Sequence, residues 1–167
     1  MKIEIKNLKH SEFASHETNC FEASVYVDGK RIGVVSNDGQ GGCNSYSHPH
    51  KIWAPIEDYA KTLPPIKYTL IKDGVSTEVD LPIDMDSVIG DLVTDALYAR
   101  DLKRQMSSRI MFIGEDGAMM ETTKMDKATM TNWLSKPELM DKLKATKVLN
   151  LMPMADAIKL YRQQGAN

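Results

Sequence analysis

Asp-Gly recurs four times, at Asp28-Gly29, Asp38-Gly39, Asp73-Gly74 and Asp116-Gly117, and three of the four stand between short segments rich in apolar and β-branched residues. Both central residues of a two-residue type I′ turn need positive φ, which Asp tolerates and Gly adopts freely, so each such pair turns the chain back as a hairpin. A chain punctuated in this way is committed to local antiparallel pairing.

The register follows from the turns. Counting outward from Asp28-Gly29 sets Val27 opposite Lys30, Val25 opposite Ile32, Ala23 opposite Val34 and Phe21 opposite Ser36, which gathers the apolar members on one face. Glu22, Ser24, Tyr26 and Arg31 fall on the other face. From Asp73-Gly74, Leu70 meets Thr77, Tyr68 meets Val79 and Ile66 meets Leu81. From Asp116-Gly117, Ile113 is expected opposite Met120, with Gly114 weakening the first strand. Ahead of these, 2–6 alternates Ile3 and Ile5 with charge, as an edge strand does, so about seven strands are expected.

Helical spacing takes over between the hairpins. Met85, Val88, Ile89, Leu92, Val93, Ala96 and Leu97 form one stripe within 84–104, with Arg100, Lys103 and Arg104 in its last turns. A shorter stripe of Trp53, Ile56, Ala60 and Leu63 ends at Pro64-Pro65. Residues 126–134 read as a helix, Ser135 to Glu138 as a capping box opening another through Lys144, 147–152 as a strand or link, and 153–164 as a terminal helix. The order predicts an α+β fold, a mostly antiparallel sheet built from Asp-Gly hairpins with about four or five helices. A chain of 167 residues fits a single domain, 1–167, and 82–86 is where a subdomain boundary would fall.

Composition removes several functions. With 21 Lys and Arg against 23 Asp and Glu, the net charge of -2 gives no overall field to hold nucleic acid or an anionic membrane. Lys136, Lys142, Lys144, Lys147, Lys159 and Arg162 are interleaved with Glu138, Asp141 and Asp156, the pattern of a solvated face. The two cysteines, Cys20 and Cys43, and a charged, non-signal N-terminus point to a reducing cytoplasm. No apolar run approaches the roughly 18 residues of a spanning helix. Of eleven methionines, nine lie beyond residue 105, where core filling is the ordinary use and an exposed Met119-Met120 would be the exception.

The fourth Asp-Gly pair has no hairpin to explain it. It lies in the loop Ser36–His50, which continues through Gly41-Gly42-Cys43-Asn44 to Tyr46 and His48-Pro49-His50. Clustered glycines are turn chemistry first. They also let backbone N–H groups converge on an anion, although the spacing matches neither G-x-G-x-x-G nor a P-loop. His48, His50, Asp38 and Cys43 supply donor types that metals use, but not the four-ligand set of a closed zinc site, so neither a metal nor a cofactor is assigned. Cys43 with a histidine, or His48 with Asp38, is the nearest approach to a catalytic pair.

Residues 21–30 leading into S36-N-D-G-Q-G-G42, together with the tail 148–161, resemble small uncharacterised accessory proteins of phages and prophages. The resemblance covers the N-terminal third and the last turns and carries no site residues with it. It implies an anti-defence protein in an infected bacterial cytoplasm, acting by binding a host defence protein or sequestering a nucleotide signal.

The expectation is thus a non-enzymatic binding protein whose loop holds a nucleotide. Backbone N–H groups of Gly39, Gly41 and Gly42 would take phosphate, and Asn37, Asp38 and Asn44 would hydrogen-bond. Tyr46 or Trp53 would stack on a base, and Arg31 or Lys51 would neutralise charge. A homo-oligomer would complete so small a pocket. The alternatives are a phosphodiesterase or other hydrolase using His48, His50 and Asp38, and a protein-only inhibitor binding through a sheet edge or the Met-rich hairpin.

Overall fold

The computed structural model describes residues 1–72 and 74–165, so Asp73 of the second Asp-Gly turn lies outside the described residues. The fold is α+β. Its packing divides into two compact units, Met1–Thr94 and Asp95–Asn167. The division falls inside a helix rather than in the turn before Asp84.

The first unit is led by a four-stranded antiparallel sheet, β1 (Ile3–Ser11), β2 (Cys20–Val27), β3 (Lys30–Asn37) and β4 (Ser45–Tyr46), hydrogen-bonded in that order. Asp28 and Gly29 have φ of 47° and 82°, the paired positive values of a type I′ turn. The register beyond it departs from the simple count. Val27 faces Lys30 and Tyr26 faces Arg31, but a bulge then pairs Val25 with Gly33 and Ala23 with Val35. One extra residue on β3 exchanges its faces. Val35 is therefore buried in place of Val34, and Gly33 in place of Ile32.

Helix α1 (His50–Ala60) buries Trp53, Ile56 and Ala60 at the expected spacing. It begins three residues earlier than its apolar stripe, with Pro49 as its N-cap. A ribbon of β5 (Ile66–Lys72) and β6 (Val75–Leu81) follows, in the predicted register of Ile66 with Leu81, Tyr68 with Val79 and Leu70 with Thr77. Next comes α2 (Met85–Met106), whose first N–H groups are capped by Asp84 through its bond from the Ser87 backbone at 2.7 Å.

In the second unit β7 (Met111–Gly114) lies between β8 (Met119–Glu121) and β9 (Ala145–Val148). Alternation sends its side chains to two cores. Met111 and Ile113 join Leu102, Leu149 and Ala157, and Phe112 joins Ile110, Met130, Leu139 and Val148. The flanking helices are α3 (Lys127–Leu134), α4 (Leu139–Leu143) and α5 (Met154–Gly165). Met106, Met119 and Met152 pack on the first core and Met125 and Met140 on the second, so these methionines are filling.

Two local expectations change here. Gly114 N bonds Ala118 O at 2.9 Å and Gly117 has φ of 81°, so the third hairpin has a three-residue loop ending in a left-handed glycine. Ile113 consequently faces Met119, and Met120 moves opposite Phe112. No capping box forms at 135–138 either: Ser135 Oγ turns back to Asn132 O, and α4 begins after Glu138 without a side-chain cap.

Candidate functional site

A cleft of about 310 Å³ in the first unit is lined by Thr18, Asn19 and Phe21, by Asn37, Gly42, Cys43 and Asn44, and by Asp86, Gly90, Val93 and Thr94. Three pieces of chain build it. The end of β3 and the glycine loop supply one wall, the segment entering β2 a second, and one stripe of α2 the third. Residues 86, 90, 93 and 94 share a face because a helix repeats every 3.6 residues.

The glycine loop is knitted to that wall by a continuous polar network. Asn37, buried at the end of β3, accepts from Thr18 Oγ1 at 2.8 Å and from Gly39 N at 2.8 Å. Its amide nitrogen donates to Gly42 O at 2.9 Å and to Asn44 Oδ1 at 3.1 Å. Asn44 Nδ2 donates in turn to Asp86 at 3.2 Å, and the Tyr46 hydroxyl donates to the same carboxylate. Burial, followed by the neighbouring Asp86, pushes the Tyr46 phenol above its ordinary range, so it remains a donor throughout the neutral region.

The glycines serve the loop's own closure. Gly39 O accepts from the backbone N–H groups of His16, Glu17 and Thr18, the first two at 3.0 Å. A Cβ at Gly39 would lie 2.2 Å from Ala14 O, and its φ is 86°, so only glycine fits this approach. The N–H of Gly41 donates to Thr18 Oγ1 at 3.3 Å. The N–H groups of Gly39 and Gly41 expected to meet a phosphate thus bond the protein itself. The converging N–H groups are those of 16–18, and they are filled by a carbonyl.

No protein-family model, curated protein or solved structure matches the chain. The chemistry of the cleft must be read from its own residues.

Asn37, Gly42, Cys43 and Asn44 reach the cleft, and the other sequence candidates fall elsewhere. Trp53 is 0% exposed, its ring 4.7 Å from that of Tyr46 in an edge-to-face contact, so it belongs to the core and has no face for a base. Tyr46 is held at both ends, by Trp53 and by Asp86. Asp38 accepts from Gln40 N at 3.1 Å, closing an Asx turn. Arg31 is exposed on β3 beside the Asp28-Gly29 turn, and Lys51 is exposed in the first turn of α1.

Neither histidine lines the cleft. His50 is the first residue of α1, and the His48 ring lies against Gly33. Among the described residues no group of three or more His, Cys, Asp or Glu is placed to hold a metal ion. No helix among them is long and apolar enough to cross a membrane.

Sequence reasoning missed Asp86, Thr18 and Gly90. Gly90 carried a signal, because a glycine inside an otherwise strong helix costs about 1 kcal/mol relative to alanine and asks for a reason. Asp86, Gly90 and Thr94, at intervals of four, form a small and polar strip within a helix otherwise read for its apolar stripe.

Proposed function

We propose that the protein is a non-enzymatic binding protein of the phage accessory type, which blunts host defence by sequestering a nucleotide signal, and that the cleft takes the signal's nucleoside part. The observation that supports this reading is the chemistry of the lining. Asp86 is its only charged side chain, flanked by the amides of Asn19, Asn37 and Asn44 and the hydroxyls of Thr18 and Thr94, with Phe21 and Val93 as apolar surface. Such a lining suits hydroxyl and amine donors on a compact, partly apolar ligand, and its volume lies at the lower end of small-molecule sites.

Asp86 also dictates orientation. A carboxylate repels phosphate, so phosphates would point out of the cleft while ribose hydroxyls or a base amine donate to Asp86. A carboxylate offers about four acceptor positions, and the bonds from Asn44 and Tyr46 leave room for a ligand donor.

The test is to incubate the protein with cyclic and linear nucleotide signals, remove the excess, denature it by heat and identify what is released. Intact nucleotide from the native chain, and none from Asp86→Ala, is the expected result. A cleaved product would replace sequestration with hydrolysis. No nucleotide bound, with a host defence protein co-purifying, would replace it with protein-only inhibition.

A further inference from the structure

The polar side chains that line the cleft divide by what they already hold. An Asn side chain has two donor hydrogens and two acceptor lone pairs. Asn37 uses all four, accepting from Thr18 Oγ1 and Gly39 N and donating to Gly42 O and Asn44 Oδ1. Thr18 gives its one hydroxyl hydrogen to Asn37 and accepts from Gly41 N. Asp86 Oδ1 takes both Asn44 Nδ2 and the Tyr46 hydroxyl, whereas Oδ2 takes only the Asn44 backbone N–H, at 3.4 Å. These groups hold the wall together, and what they leave over for a ligand is mostly acceptor.

Asn19 and Thr94 differ from them. Both line the cleft, one from the segment entering β2 and one from α2, and among the described residues neither side chain has a hydrogen-bond partner. Of the two, only Asn19 offers a donor and an acceptor side by side in one plane, the arrangement that meets the edge of a planar base with two bonds. Gly90 leaves space for such a ring. It lies one helical turn from Asp86 and one from Thr94, and a Cβ added there meets nothing within 4 Å.

We infer, resting on the reading that the cleft takes a nucleoside, that Asn19 is its specificity-determining residue and that the base it selects carries an exocyclic amine. Adenine, cytosine and guanine each set an amine beside a ring nitrogen that accepts. The amine donates to Asn19 Oδ1 and the ring nitrogen accepts from Asn19 Nδ2. An amine has a second hydrogen, and the acceptors that the network leaves open, Asp86 Oδ2 and the remaining lone pair of Asn44 Oδ1, suit a donor. Hypoxanthine and uracil lack the amine and bring carbonyl oxygens, which a carboxylate repels and which leave those acceptors unpaired.

Equilibrium dialysis of the full chain against the 5′-monophosphates of adenosine, guanosine, cytidine, inosine and uridine tests this. At least one amine-bearing nucleotide is expected to bind about tenfold or more tighter than the counterpart without the amine, which is inosine for the purines and uridine for cytidine. The arm that shows the difference identifies the base. Asn19→Ala is expected to bring the preferred nucleotide down to the affinity of its counterpart, with an unchanged urea midpoint because the Asn19 side chain bonds nothing in the folded chain. Equal binding of all the nucleotides, or a preference for inosine or uridine, overturns the inference and leaves the nucleoside reading of the cleft standing. A preference that survives Asn19→Ala also overturns it, since the base is then read elsewhere. Binding of none of them overturns the inference and the nucleoside reading together.

Discussion

The Tyr46 hydroxyl donates to the Asp86 carboxylate while its ring packs edge-on against Trp53. One side chain therefore joins β4 to the start of α2 through a charge-assisted bond and to α1 through an aromatic contact. Tyr46→Phe keeps the ring and removes the bond. A hydrogen bond to a charged group contributes about 1.5–3 kcal/mol, so chemical denaturation of the phenylalanine variant should register a loss of that order. An unchanged midpoint would mean that Asp86 is held by Asn44 alone.

Gly33 is set by the bulge in β3 and lies under the indole of Trp53. An added Cβ would come within 2.6 Å of Trp53 Cζ2 and 2.9 Å of Ser47 Oγ, and a buried indole has little freedom to retreat. Gly33→Ala should cost about 1–3 kcal/mol, the usual range for overpacking, measured by urea unfolding. At Gly29 a Cβ meets nothing within 4 Å, and there the cost of alanine comes from the positive φ alone. Equal losses at both sites would argue that no indole stands over Gly33.

The way the sequence encodes the fold explains what could be read from it. Where no residue was inserted in either strand, as in β5–β6, counting outward gave every partner. The count failed in β2–β3 because of one bulged residue, and in β7–β8 because a left-handed Gly117 closes a three-residue loop. Both are single-residue events that apolar alternation tolerates, since neighbouring side chains such as Val34 and Val35 are equally fit for burial. The cleft was half legible for a related reason. Asn37, Gly42 and Asn44 stood out by type, whereas Asp86 looked like an ordinary acidic residue in a helix's first turn until folding brought Tyr46 and Asn44 to it.

Gly90 separates stability from binding. It lies inside α2 and lines the cleft, and a Cβ added there meets nothing within 4 Å. Gly90→Ala should therefore stabilise the protein by about 0.5–1 kcal/mol, through the lower conformational entropy of the unfolded chain. Gly90→Leu puts a bulky apolar side chain into the cleft that Asn37, Asn44 and Asp86 also line. Thermal denaturation should show a protein at least as stable as the native chain, while nucleotide recovery after heat release should fall to background. Full recovery from the leucine variant would place the ligand outside this cleft.

In the second unit Tyr161 governs both ends of the pH range. Its hydroxyl donates to Asp101 at 2.6 Å, Gln105 Nε2 donates to the same phenol oxygen at 2.6 Å, and Tyr98 meets the ring edge-on at 5.7 Å. Burial, then Asp101, raises the phenol to about 12 from an ordinary 10.0. Its contribution to stability is thus complete below about pH 10 and is lost as pH climbs from there through about 12. The bond from Tyr161, then those from Gln105 and Arg104, hold the Asp101 carboxyl below its ordinary 3.8. That contribution is complete above the ordinary value and is lost as pH falls beneath it. Tyr161→Phe should therefore shrink the acid and the alkaline loss together, relative to the native chain, in melting temperatures recorded against pH. A phenolate absorbance titration should also lose one group that in the native chain is still largely protonated near pH 11, as expected for a pKa of about 12. If the alkaline loss alone shrinks, the hydroxyl is buried but Asp101 does not depend on it.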